Sequence, residues 1–261
     1  MQRRGFSLIE LSIVLVILGL LVGGILVGQT MIRNAEVASV ITERGKYKDA
    51  VLAFRDKYAS YPGDMPDATN YWDSAGGDGS NPGCLNGQTT SAIATCNGNG
   101  NGLVADGGAS FSERFTLWKH LANAALIEGA FLGRTSGAMG TFVPTIGANV
   151  PAATLANSYW GVLMLSGTIG PPNPIHPDFF DGTYPGNILF IAAPNGAPME
   201  PIEAQGIDTK IDDGNPTTGF VFATKSTATG APANCTTTAT AAALYNTTSS
   251  SRTCNLYFWI Q

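Results

Sequence analysis

Apolar positions fill the first part of the chain with no period at all. From Leu11 to Val27 the only polar side chain is Ser12, and this is about the twenty residues a helix needs to cross a bilayer. After Gly28 the pattern turns amphipathic. Val37, Val40, Ile41, Tyr47, Val51, Phe54 and Tyr58 recur mostly at steps of three and four, with Arg33, Glu36, Glu43, Lys46, Asp49, Arg55 and Asp56 between them. The spacing predicts one helix from Phe6 to Tyr58, membrane-spanning over 6–28 and packed on a globular head over 29–58. At ~1.5 Å per residue it would be roughly 80 Å long. Gly45 marks a point for a bend.

Tyr61-Pro62-Gly63-Asp64-Met65-Pro66 ends that helix, because proline lacks the amide donor and restricts the residue before it. A Gly/Asn-rich loop over 74–109 follows. Ser110-Phe111-Ser112-Glu113 reads as a capping box for a second helix, with Phe111, Phe115, Trp118, Leu121 and Ala125 on one face and Gly129 as its stop. Beyond it, Tyr159–Leu165, Asn187–Ala193, Phe220–Thr224 and Asn255–Ile260 read as strands, being aromatic and aliphatic with Gly/Pro turns between. Glu200–Ile211 reads as a short helix.

Charge removes one function class. From residue 59 onward six Lys/Arg stand against fourteen Asp/Glu, a formal balance of −8 with no basic cluster. Such a body does not grip phosphate backbones, so no nucleic-acid partner is expected. The four cysteines, Cys84, Cys96, Cys235 and Cys254, include no C-x-x-C pair, and the two histidines lie far apart, which argues against zinc. Each local pair brackets a loop of small polar residues. That suggests two disulfides and an oxidising compartment. Three connectivities remain open; we favour Cys84–Cys96 and Cys235–Cys254.

The N-terminus carries the most specific signal. Arg3-Arg4 precede the apolar run and should hold this end on the cytoplasmic side. A plain secretory signal would have a shorter apolar region and an A-x-A-like site, and neither holds here. Glu10 also sits awkwardly at bilayer depth, at a cost on the order of 3 kcal/mol. Arg3-Arg4-Gly5-Phe6-Ser7-Leu8-Ile9-Glu10-Leu11 resembles the prepilin processing site of type IV pilins and type II secretion pseudopilins. Gly19 also matches a position of that family. The chain departs from many members by lacking a proline in the second half of the apolar helix. Gly23, Gly24 and Gly28 stand in that neighbourhood instead, either softening the helix or allowing close helix–helix contact.

The resemblance implies a leader of residues 1–5, cut after Gly5 by a prepilin peptidase that then methylates the amine of Phe6. It implies a single-pass inner-membrane precursor and a homo-oligomeric helical filament at the cell surface, in which Glu10 meets the Phe6 amine of a neighbouring subunit. It also implies an α+β fold, a long N-terminal helix packed on an antiparallel sheet within a head of residues 59–261, and the pattern agrees. The alternative within the family is a pseudopilin forming a short periplasmic fibre for a secretion machine. A reading from another class is a membrane-tethered binding module or enzyme.

No catalytic constellation is present: the sequence has no G-x-S-x-G, H-E-x-x-H or G-x-x-x-x-G-K. No enzymatic activity and no required cofactor are expected. His176 reads as part of a turn and His120 as a structural residue of the second helix. Calcium is the one cofactor with candidate ligands. Asn97, Asn99 and Asn101 repeat oxygen-bearing side chains at every second position, with Asp106 beyond, similar to the start of an EF-hand loop. Asn97 stands where an acid belongs, however, and Gly108 where the bidentate Glu belongs. Asp208, Asp212 and Asp213 form a second candidate, near the last strands where some pseudopilins bind calcium. The competing reading of that cluster is a helix end at Gly214 with solvated carboxylates, partly neutralised by Lys210. Residues 235–254 form a Thr/Ala/Ser-rich segment that looks like the exposed, disulfide-closed C-terminal region of pilins.

Overall fold

The computed structural model describes residues 7–75, 92–104, 106–107, 111–134, 143–165, 186–194, 196–223, 234–238 and 243–260. Helix α1 is continuous from Leu8 to Tyr58, 51 residues or about 76 Å. It runs unbroken through Gly23, Gly24, Gly28 and Gly45. Ser7 and Glu10 close its first turn as a capping box, the Ser7 N–H donating to Glu10 Oε2 at 2.8 Å. At the far end Ala59 takes the left-handed conformation, φ 52°, and its N–H returns to the Arg55 carbonyl.

The two halves of α1 differ as the pattern predicts. Val40, Tyr47, Ala50, Val51 and Phe54 are buried, with Val37, Ile41 and Tyr58 packed partly against the same core. Below Gly28 every described side chain is exposed.

The head is built on four antiparallel strands: β3 (Tyr159–Leu165), β4 (Gly186–Ala192), β5 (Val221–Ala223) and β6 (Leu256–Trp259), after a two-stranded pair β1 (Asp106–Gly107) and β2 (Phe111–Ser112). The order is β3-β4-β6-β5. Register aligns Val162, Leu189, Phe258 and Val221 across all four strands. α1 covers the sheet through Tyr47, whose ring lies 5.7 Å from Trp160, which in turn lies 5.8 Å from Phe258. On the alternate positions Tyr159, Phe190 and Tyr257 form an aromatic row. Gly161 is required there, since a Cβ would stand 2.3 Å from the Phe190 ring. The result is the α+β, pilin-like arrangement of a long helix on a small antiparallel sheet.

Three local readings change. Helix α2 spans Glu113–Asn123, so it begins later than a box starting at Ser110 would place it. Phe111 and Ser112 pair with residues 106–107 instead, and the Glu113 carboxylate turns to the loop, accepting the Asn99 N–H at 3.0 Å. Gly129 is not the stop. Ala125, φ 57°, takes that role: its N–H donates to the Ala122 carbonyl while Leu126 N–H donates to Leu121, the two bonds of a Schellman end. Ala125 therefore lies past the helix and is exposed, whereas Phe115, Trp118 and Leu121 are fully buried. Helix α3 runs Pro201–Ile211, with proline in its first turn, where the missing N–H has no intrahelical partner to lose.

Candidate functional site

The candidate surface is the exposed apolar lower half of α1. Leu8, Leu15, Leu20, Ile25 and Met31 are all more than half exposed. Soluble monomers rarely expose contiguous apolar patches beyond a few hundred Å², and a helix uncovered over this length requires lipid or a partner. Glu10 is the lone acid among these side chains, at the N-terminal turn where the helix dipole favours a negative charge. The Ser-x-x-Glu spacing that closes this turn was readable in the sequence. Gly5 and Phe6 lie outside the described residues.

Where α1 enters the head, Arg33 holds α3. Its Nε donates to Glu203 Oε1 and one terminal nitrogen to Glu203 Oε2, both at 2.7 Å. The same nitrogen reaches the Pro198 carbonyl at 2.8 Å. Glu203, partly covered, raises the Arg33 pKa. This bidentate pair sits seven residues below Val40, the first buried apolar side chain of α1. Higher up, Glu43 accepts the Trp160 indole N–H at 2.6 Å and the Thr154 N–H at 2.9 Å. These pairings join residues far apart in the chain, and nothing in the sequence announces them.

The turn that follows α1 locks onto the Asn-Gly loop. Asp64 is buried, and its carboxylate accepts the N–H of Asn101 at 3.0 Å and of Gly102 at 2.8 Å. Burial raises its pKa, and the N–H groups of Gly102, Asn101 and Gly100 lower it. The Asn side-chain oxygens face backbone donors: Asn97 accepts Thr69 N–H, Asn99 accepts Asn101 N–H and Asn101 accepts Leu103 N–H. The loop thus presents converging N–H groups to an anion, as a backbone nest does. The Asp106 side chain lies outside the described residues.

His120 completes this joint. Its Nδ1 accepts the Gly63 N–H at 2.9 Å, so Nε2 carries the proton and donates to the Cys96 carbonyl at 3.1 Å. Full burial pushes it down to about 3, which keeps it neutral. Its ring stacks on Phe54, 6.0 Å between centroids. His176 lies outside the described residues.

The second acidic cluster is brought together. Asp208, Asp212 and Asp213 each place an oxygen within 4.8 Å of the others. Each oxygen apart from Asp212 Oδ1 already accepts a protein donor. Asp208 takes Tyr245 O–H at 2.8 Å and Gly214 N–H at 3.2 Å. Asp212 takes the N–H groups of Phe220 and Val221, and Asp213 takes Asn215 N–H and the Thr218 hydroxyl. Burial pushes Asp208 up to about 7, the Tyr245 hydrogen bond opposing it. Tyr245 belongs to the C-terminal segment closed by the Cys235–Cys254 disulfide, which forms as the local spacing suggests. Cys96 is also disulfide-bonded; Cys84 lies outside the described residues.

The comparisons agree with the N-terminal signal. Residues 1–26 match the model of the prokaryotic N-terminal methylation motif. No curated protein and no solved structure matches the chain. The chain therefore carries the prepilin signature shared by type IV pilins and pseudopilins, on a pilin-like fold. Motif and apolar helix together fit an inner-membrane precursor processed by a prepilin peptidase.

Proposed function

We propose that the chain is a structural subunit of a type IV pilus-like filament and has no catalytic step of its own. Cleavage after Gly5 and methylation of Phe6 yield the mature subunit. It is then drawn from the inner membrane and stacked helix against helix at the cell surface. The observation that carries this reading is the uncovered apolar half of α1 below a head that closes its own core. A folded head needs nothing from that half, so its apolar surface is available first to lipid and then to copies of itself. Glu10 gives the stack its register, because an acid in a low-dielectric bundle is stable beside a neighbour's amine and costly elsewhere.

The test is the variant Glu10→Ala, followed by immunoblots for processing and by yield of sheared filaments. Expected is a processed, membrane-resident, disulfide-bonded protein that assembles poorly, with Glu10→Gln no better than intermediate. Normal filament yield from Glu10→Ala would overturn the register role. Intact mass of the membrane-derived protein should give Phe6 as the methylated first residue; an uncut Met1 would sink the reading. Fractionation decides the site of use, since a short secretion fibre would leave the protein with the cells after shearing.

A further inference from the structure

Three Asn-Gly dipeptides stand in succession at Asn97-Gly98, Asn99-Gly100 and Asn101-Gly102. This sequence invites spontaneous deamidation. Base removes the proton from the glycine amide nitrogen, and that nitrogen attacks Cγ of the preceding Asn. The Cγ–Nδ2 bond breaks, and ammonia leaves carrying a proton. Water then opens the cyclic imide to aspartate or isoaspartate. Glycine favours the reaction because it has no side chain to hinder the approach. Burial offers this loop little shelter, since Asn99, Gly100, Asn101 and Gly102 are all exposed.

The fold nevertheless requires these residues. Gly100 and Gly102 have φ +72° and +83°, where other residues are strained. A Cβ at Gly98 would stand 2.3 Å from the Asp64 carbonyl carbon. What the loop does with the three glycine nitrogens is therefore informative. Gly98 N–H donates to the Met65 carbonyl at 2.7 Å and Gly100 N–H to the Asp64 carbonyl at 2.9 Å. Gly102 N–H donates to the Asp64 carboxylate at 2.8 Å.

We propose that the Asp64 turn is a chemical guard on this loop, holding the attacking nitrogen of each Asn-Gly pair so that the imide does not form. Deprotonating Gly98 or Gly100 sacrifices a formed hydrogen bond. Deprotonating Gly102 in addition creates an anion against a carboxylate, which like-charge repulsion opposes. Turning the nitrogen toward its own Asn side chain breaks the same bonds. Asn101-Gly102 thus depends on the Asp64 charge, whereas the other two depend on the main-chain path of the turn. The guard acts whether or not the subunit enters a filament, so it is independent of the functional reading above.

The experiment ages the full chain in detergent micelles in warm, mildly alkaline buffer, beside a synthetic peptide of residues 95–104. Peptide mapping by mass spectrometry reads the mass gain of each Asn, and isoaspartate is scored separately. The wild-type protein should convert at all three sites at least about tenfold more slowly than the peptide, the factor that one hydrogen bond's net worth gives. Equal rates would overturn the proposal. Asp64→Asn keeps the shape and removes the charge, so Asn101 should convert first and faster than in wild type. Asp64→Ala removes the acceptor altogether, so Asn101 should again convert faster than in wild type, while Asn97 and Asn99, whose glycine nitrogens are held by main-chain carbonyls, should keep the wild-type rate. Near-UV circular dichroism confirms that each variant is folded. A folded Asp64→Asn and a folded Asp64→Ala that both keep Asn101 as wild type does would also overturn it.

Discussion

Asp208→Asn tests the chemistry of the C-terminal joint. The folded chain holds this carboxyl near 7 while an unfolded chain releases its proton at ~3.9, a difference on the order of 4 kcal/mol. Between roughly pH 4 and 7 the folded state therefore binds the extra proton. Stability falls as pH rises through that window, and the loss is complete above it. His120 acts in the opposite sense. It is held near 3 in the fold against ~6.5 unfolded, so its contribution is lost as pH falls through that interval. Where the windows overlap, the two slopes cancel. Removing the Asp208 charge should uncover the His120 slope alone, with stability rising from acid to neutral pH. The amide can still serve Tyr245 and Gly214. Thermal melts of the full chain in micelles, followed by near-UV circular dichroism, read this directly. The variant should melt above wild type at about pH 8 and close to it at about pH 4. Parallel curves would refute the reasoning. Calcium held by Asp208, Asp212 and Asp213 would need all three ionised and would reverse the wild-type slope; because nearly every oxygen there already has a protein donor, we expect calcium to leave the curve unchanged.

Arg33→Ala removes the bidentate pair to Glu203 and should cost about 1–3 kcal/mol. Hydrogen exchange should quicken over residues 28–39 while the helix around Val51 and Phe54 keeps its protection. Cys235→Ser with Cys254→Ser opens a loop of sequence separation 19 and should lower stability by about 3 kcal/mol. A melting temperature matching wild type would show that the Asp208–Tyr245 contact holds this segment by itself.

What the sequence disclosed, and what it did not, divides by range. The unbroken apolar run, the periodic amphipathic continuation to Tyr58 and the aromatic strands are all local signals, so residue pattern places them within a residue or two. The Schellman end at Ala125 escaped because glycine is the usual marker and alanine there has no sequence signature. Glu113 was readable as a capping acid, yet a loop amide fourteen positions away takes its carboxylate. Oxygen spacing in Asn97-Asn101 is visible in the letters. That the same loop aims its N–H groups at Asp64, some 37 positions earlier, is not. The Arg33–Glu203 pair spans 170 positions and is a product of the fold alone.

Both borders of the four-stranded sheet are partly capped. On β3 the outward Trp160 N–H goes to the Pro151 carbonyl, and the Val162 carbonyl accepts Arg114 Nε. On β5 the outward N–H groups of Val221 and Ala223 go to the Asp212 carboxylate and the Pro216 carbonyl. Bare strand borders recruit other strands, and crowding many identical domains side by side multiplies that hazard. In the proposed filament, heads brought side by side would need borders that do not recruit one another in this way. Asp212→Ala would thus first show itself as clumping at high concentration, long before any loss of fold.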